Sequence, residues 1–181
     1  MAGYLLNIHG FMGSADNKNL RALKHLCLDE RLISPAVDYL REPPGQILER
    51  LSMAIRRADG PVIVVGQSLG GWFANQISLR FRVPCILTNP CLFPHQCSVI
   101  LDSPIPPPYL QEYKAGSGKG CNPLCVILCS HDDEVLPGNY TACQSLSDHV
   151  RLVNGTHSQI ENLEKELKRA KGLCGHMLPS P

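Results

Sequence analysis

Apolar positions change period several times along the chain, from unbroken runs to spacings of three and four. Tyr4-Leu5-Leu6-Asn7-Ile8, Pro61-Val62-Ile63-Val64-Val65, Val83 to Thr88, Leu124 to Cys129 and Val150 to Val153 are short, mostly apolar runs bounded by turn residues. Runs of this length and bounding predict strands, and the nearly continuous ones predict strands buried on both faces. Arg31 to Val37 is a weaker sixth strand, and Pro35 within it suits a sheet edge better than a centre. Between the runs the period lengthens. Leu20, Leu23, Leu26 and Cys27 recur at helical spacing after Asp16 and Asn17, with Asp16 a candidate N-cap. Ile47, Leu48, Leu51 and Ile55 mark a second helix, Trp72, Phe73, Ile77 and Leu79 a third, Asn139 to Leu146 a short fourth, and Ile160, Leu163 and Leu167 the last. Strand and helix alternate almost throughout, which predicts a single-domain α/β fold: a doubly wound, mostly parallel six-stranded sheet flanked by helices.

Two stretches break the pattern. Residues 91–120 carry Pro94, Pro104 and Pro106-Pro107-Pro108 and then Gly-Ser-Gly-Lys-Gly, and read as an irregular insertion, either a lid or substrate wall or a mobile surface loop. Residues 172–181 hold two glycines and two prolines and read as a frayed, flexible tail, so the domain is expected to span 1–171.

Composition narrows the class of protein. Seventeen basic residues face sixteen acidic ones across 181 residues, a net charge of +1, which argues against nucleic acid or an anionic membrane as partner. No apolar stretch reaches the roughly 20 residues that span a bilayer, and MAGYLLNIHGF lacks the basic leader of a signal peptide. The nine cysteines are an odd number and suit a cytoplasmic protein with free thiols. Cys121, Cys125 and Cys129 share a four-residue spacing, but the C-x₂-C pairs of zinc sites are absent, so no metal is expected.

The chemistry gathers around Gly66-Gln67-Ser68-Leu69-Gly70-Gly71. A G-x-S-x-G pattern between a strand and a helix is the setting of a nucleophile elbow. It would hold the Ser68 hydroxyl above the sheet, beside unpaired N–H groups at a helix start. A serine hydroxyl needs a base to take its proton, and the base needs an acid to fix its tautomer. Acidic residues and histidines follow Ser68 in that order, each just past a strand. Asp132, Asp133 and Glu134 compete for the acid, and Asp102 in the insertion is a remoter choice. Of seven histidines, His157 follows a strand and precedes the last helix and is the expected base. His131 lies too near the acidic turn, and His9 is expected to orient the loop after the first strand. That loop, His9-Gly10-Phe11, would offer the N–H of Phe11 as a second oxyanion donor beside the N–H of Leu69.

Leu6-Asn7-Ile8-His9-Gly10-Phe11, Gly66 to Ala74, Asn89-Pro90, Asp133-Glu134-Val135-Leu136 and Gly155-Thr156-His157 together resemble the YqiA/YcfP-type (UPF0227) small esterases of the α/β-hydrolase superfamily. The run Asp133 to Pro137 resembles the D-x-V-x-P turn that carries the acid in that superfamily, which favours Asp133 over Asp132. The resemblance implies a minimal α/β-hydrolase fold and a triad of Ser68, Asp133 and His157. It further implies hydrolysis of a small-molecule acyl ester through an acyl-serine, with no cofactor. A shallow site would favour short acyl groups. A thioesterase or peptidase-like hydrolase on the same triad is the alternative within enzymes, and a binding module that kept the fold is the alternative outside them. The sequence leaves the oligomeric state open.

Overall fold

A computed structural model describes residues 3–27, 30–118 and 120–177. Seven strands form one sheet in the order β2-β1-β3-β4-β5-β6-β7. They are β1 (Tyr4–Ile8), β2 (Arg31–Ile33), β3 (Val62–Gln67), β4 (Cys85–Thr88), β5 (Cys125–Asp132), β6 (His149–Thr156) and β7 (Gln159–Ile160). All pair in parallel except β7, which folds back antiparallel on the end of β6. The pattern-based reading counts six strands. The seventh is two residues long, below the length at which periodicity carries a signal.

The unbroken runs behave as expected of strands covered on both faces. Val62 and Val64 of β3 join a core with helices α2 (Pro44–Arg56) and α3 (Leu69–Phe81), whereas Ile63 and Val65 face the opposite layer, formed by α1 (Lys18–Leu26) and α7 (Leu163–Met177). Alternate residues point to opposite faces, so apolar side chains are required at every position. The sheet edge is equally legible. β2 stops at Ile33, two residues before Pro35, because proline has no N–H to give a ladder.

Three expectations need correction. The α1 cap is Asn17, whose Oδ1 accepts the Leu20 N–H at 2.9 Å; Asp16 instead pairs with Arg21 at 3.0 Å. The tail expected from 172 is helical through Met177, with Cys174 fully buried; residues 178–181 lie outside the described residues. Residues 91–118, read as an irregular insertion, are built largely of short helices. They contain a 3-10 turn at Pro94–Gln96, α4 (Ser98–Leu101) and α5 (Pro107–Gly116). The prolines mislead because Pro107 and Pro108 open α5, where a missing N–H costs nothing. Tyr113 fastens this segment to α3. It is fully buried and stands edge-on to Trp72, ring centroids 5.1 Å apart, while Trp72 Nε1–H donates to Ser117 Oγ at 3.1 Å. The last helix on the α2–α3 side of the sheet, α6 (Asn139–Leu146), lies where the spacing puts it.

Candidate active site

Ser68 alone makes the turn between β3 and α3, with φ 49° and ψ −119°. A non-glycine backbone in that region costs about 1–3 kcal/mol and persists only where its surroundings hold it. Here the Ser68 N–H donates to the Thr88 carbonyl at 3.0 Å, and its carbonyl accepts from the N–H groups of Gly71 and Cys91, each at 2.9 Å. The turn also needs two bare backbones. A Cβ on Gly66 would lie 2.7 Å from the Ala74 Cβ and run into the Gly70 carbonyl; one on Gly70 would strike the carbonyls of Ile8 and His9. These contacts explain the glycines flanking the serine.

His157 sits in the tight turn between β6 and β7. Its Nε2 is 2.9 Å from Ser68 Oγ, and its Nδ1 lies 2.9 and 3.0 Å from the two carboxylate oxygens of Asp133. With Nδ1–H donating to the carboxylate, Nε2 is left as the acceptor for the serine hydroxyl. The two side chains are 11% and 6% exposed, so the pair is largely withdrawn from solvent. Burial alone pushes the Asp133 carboxyl up. The His157 hydrogen bond and the donations from Leu136 N–H (2.8 Å) and Val135 N–H (3.1 Å) outweigh it, leaving the carboxyl below its ordinary value. Such a group is ionised at neutral pH and stabilises a positive charge forming on the imidazole.

Asp132 takes no part in this arrangement. Its carboxylate turns outward to His131 Nδ1 at 2.8 Å, and both side chains are exposed. Asp102 ends α4. His25 pairs with Glu164 on the surface, His149 opens β6, and His176 is exposed on α7. Cys121 is exposed while Cys125 and Cys129 are buried in the core, and the described residues hold no group of three or more potential metal ligands.

The loop after β1 lies directly against the serine. A Cβ on Gly10 would be 3.0 Å from Ser68 Cβ and 3.7 Å from its Oγ. His9 holds this loop as a neutral ring: Nδ1–H donates to the Gly10 carbonyl at 2.8 Å, and Nε2 accepts the Val37 N–H at 3.0 Å. Burial keeps its pKa below the usual value, against the opposing pull of the Gly10 carbonyl. The Tyr39 hydroxyl donates to the His9 carbonyl from the other side. Among the described residues, neither the N–H of Phe11 nor that of Leu69 donates a hydrogen bond, and Leu69 is the first residue of α3. The polar chain Gln67–Asn17–Asn7–Ser34 ties the rest of the loop to β3, through bonds of 3.0, 3.0 and 2.9 Å.

Two supporting residues escape sequence reasoning. Asn89, fully buried and at φ 44°, donates through Nδ2 to Ser130 Oγ (2.8 Å) and to the carbonyls of Thr156 (3.0 Å) and His157 (2.9 Å). Its Oδ1 accepts the Ser130 N–H at 2.6 Å. Glu134 accepts the His157 N–H at 2.9 Å. Asn89-Pro90 directly after a strand is a visible signal, but it speaks of a turn. The partners of Asn89 are 41 to 68 residues away and only the fold supplies them.

A serine on a strained strand-to-helix turn in a mostly parallel sheet, facing a histidine after a later strand, is the layout of the α/β-hydrolase fold. Solved structures of that fold superpose on the chain. Mouse alpha/beta hydrolase domain-containing protein 10 matches with a TM-score of 0.70 at 18% identity, covering 96% of this chain and 89% of its own. A structure from the metagenome-derived lipolytic enzymes LipS and LipT matches with a TM-score of 0.69 at 14% identity, over 97% of this chain and 93% of that one. The chain belongs to the UPF0227 family, whose model, described as an uncharacterised protein family, matches residues 4–175. A UPF0227 protein of Pectobacterium atrosepticum is 25% identical over 160 residues, 82% of this chain and 85% of the relative.

Proposed function

We propose that the chain is a serine hydrolase that cleaves small or short-chain carboxylic esters through an acyl-serine. The observation that carries this reading is the continuous hydrogen-bonded line from Ser68 Oγ through both His157 nitrogens to Asp133. In the proposed reaction His157 Nε2 takes the hydroxyl proton as Ser68 Oγ attacks the ester carbonyl. Asp133 stabilises the imidazolium that results. The N–H groups of Leu69 and Phe11 receive the oxyanion. His157 then returns the proton to the leaving alcohol, and a water it deprotonates releases the acid. These steps draw on protein groups and water alone. The preference for short acyl groups rests on the described residues forming no separate cap domain over Ser68. The nine free thiols suit a reducing cytoplasmic setting.

A fluorophosphonate probe and a panel of acyl esters and thioesters test the reading together. Labelling at Ser68 that vanishes in Ser68→Ala, with ester turnover lost in parallel, is the expected result. An unlabelled Ser68 in folded protein would mean a binding module on a hydrolase fold. Turnover rising steeply with acyl length from two to twelve carbons would remove the short-chain preference while leaving the hydrolase intact.

A further inference from the structure

The sheet is left partly uncovered at its β6 margin. β7 pairs only with Gly155 and Thr156, and α7 packs over β4 and β5. A groove of about 670 Å³ lies between β6 and α7, on the side of the sheet away from α2 and α3. Strand alternation puts His149 and Arg151 on the same face as buried Val153, toward α7. Glu166, Arg169, Leu173 and His176 meet them from one face of the helix, spaced three and four residues apart. Val126 and Leu128 of β5, with Ala170, give the groove an apolar floor. Neither Ser68 nor Asp133 nor His157 lines it.

Glu166 is the unusual group here. Its side chain is 10% exposed, whereas those of Arg151 and Arg169 are 51% and 54% exposed. Arg151 Nε lies 2.7 Å from Glu166 Oε2, and Arg169 Nη1 lies 3.6 Å from Oε1. The first approach is misaligned and the second too long for a hydrogen bond, and among the described residues Oε2 finds no hydrogen-bond partner. A buried carboxylate oxygen without a donor is costly, so a ligand that brings a donor gains what the chain does not supply. Two guanidiniums against one carboxylate also leave the groove with an excess positive charge. Both guanidiniums lie against Glu166, so the ligand's donor has to sit next to its anionic group.

We propose that this groove binds small α-hydroxy carboxylates with an apolar body. The carboxylate pairs with Arg151 and Arg169, the adjacent hydroxyl donates to Glu166 Oε2, and the apolar chain lies on Val126, Leu128 and Leu173. The ligand's single negative charge balances the excess positive charge. A mostly apolar concavity of about 300–1,000 Å³ with a few converging polar groups is the usual form of a small-molecule site. The site stands apart from the proposed hydrolysis and does not depend on it.

Amide NMR of the isotope-labelled full chain, titrated with leucate (the hydroxy counterpart of leucine), tests this. Saturable shifts centred on Arg151, Leu152 and the helix from Arg169 to Leu173 are expected, and they should persist in Ser68→Ala. Isocaproate lacks the hydroxyl and the matching diol lacks the carboxylate; each should bind about tenfold more weakly than leucate. Arg169→Gln should weaken leucate by about the same factor. That side chain is half exposed, so the variant should keep the wild-type spectrum away from the groove. Shifts confined to Gly10, Leu69 and His157, the absence of a saturable shift, or an unchanged affinity in Arg169→Gln would overturn the site. Equal affinity for isocaproate, or tighter binding of leucine itself, would overturn the ligand class.

Discussion

The amide of Asn89 holds the carbonyl of His157 at 2.9 Å across the gap between the end of β4 and the turn after β6. The same amide grips Ser130 on β5, so one side chain ties the end of β4 to the strands that lead to Asp133 and His157. Asn89→Asp keeps shape and acceptor but turns the donor into an oxygen facing two carbonyls. It should cost about 1–3 kcal/mol of stability, read by urea unfolding. Labelling of Ser68 should slow by about 10–10²-fold, the scale on which misplacing a reacting group costs rate. Normal labelling in a destabilised variant would reduce Asn89 to a purely structural role.

The adjacent aspartates should separate cleanly. Asp133→Asn removes the partner that fixes the His157 ring and should lower ester turnover by about 10³–10⁴-fold. Asp132→Asn disturbs only an exposed contact with His131 and should stay within about twofold of wild type. A reversed order in steady-state assays would reassign the acid.

His9 should make stability depend on pH. Its folded-state pKa is depressed, so its contribution is complete above the unfolded value of about 6.5. As pH falls below that value the unfolded chain takes the proton first, and the contribution is lost as pH drops through the folded pKa. Urea unfolding between pH 8 and 4.5, run on wild type and His9→Gln, checks this; the variant should show the flatter curve. Protonation would also break the acceptor bond to Val37 N–H, so the loop bearing Phe11 should loosen over the same range.

Glycine substitutions should split by position. Gly70→Ala drives a methyl into the carbonyls of Ile8 and His9 and should lower both stability and labelling. Gly172 lies inside α7 with open space where a Cβ would go, so Gly172→Ala should stabilise by about 0.5–1 kcal/mol. Thermal unfolding decides both, and a destabilised Gly172→Ala would argue against a continuous α7.

The sheet was legible because its inner strands must be apolar at every position. The elbow was legible because a reactive serine on that turn needs glycines that other turns do not. Ser68 and His157 could be named since each follows a recognisable strand, whereas Asp133 is favoured over its neighbour Asp132 only by resemblance to the D-x-V-x-P turn; the fold brings the three side chains within hydrogen-bond reach. What stayed hidden is of two kinds. Pro107 and Pro108 read as breakers, yet at a helix start they are neutral, so α5 vanished from the pattern. The contacts of Asn89 and Glu134 depend on which groups meet in space, and no local period encodes that.

The distance along the chain between Ser68 and its histidine has a consequence for synthesis. Eighty-nine residues separate them, and His157 reaches the serine only after β6 has paired with β5. A ribosome-bound chain that has emerged only as far as β4 holds Ser68 but not yet Asp133 or His157. It then carries an exposed hydroxyl with no base to activate it. Reactivity is thus switched on by the last strands to arrive, and a chain truncated before β6 should be unreactive toward acyl groups however well its first half has folded.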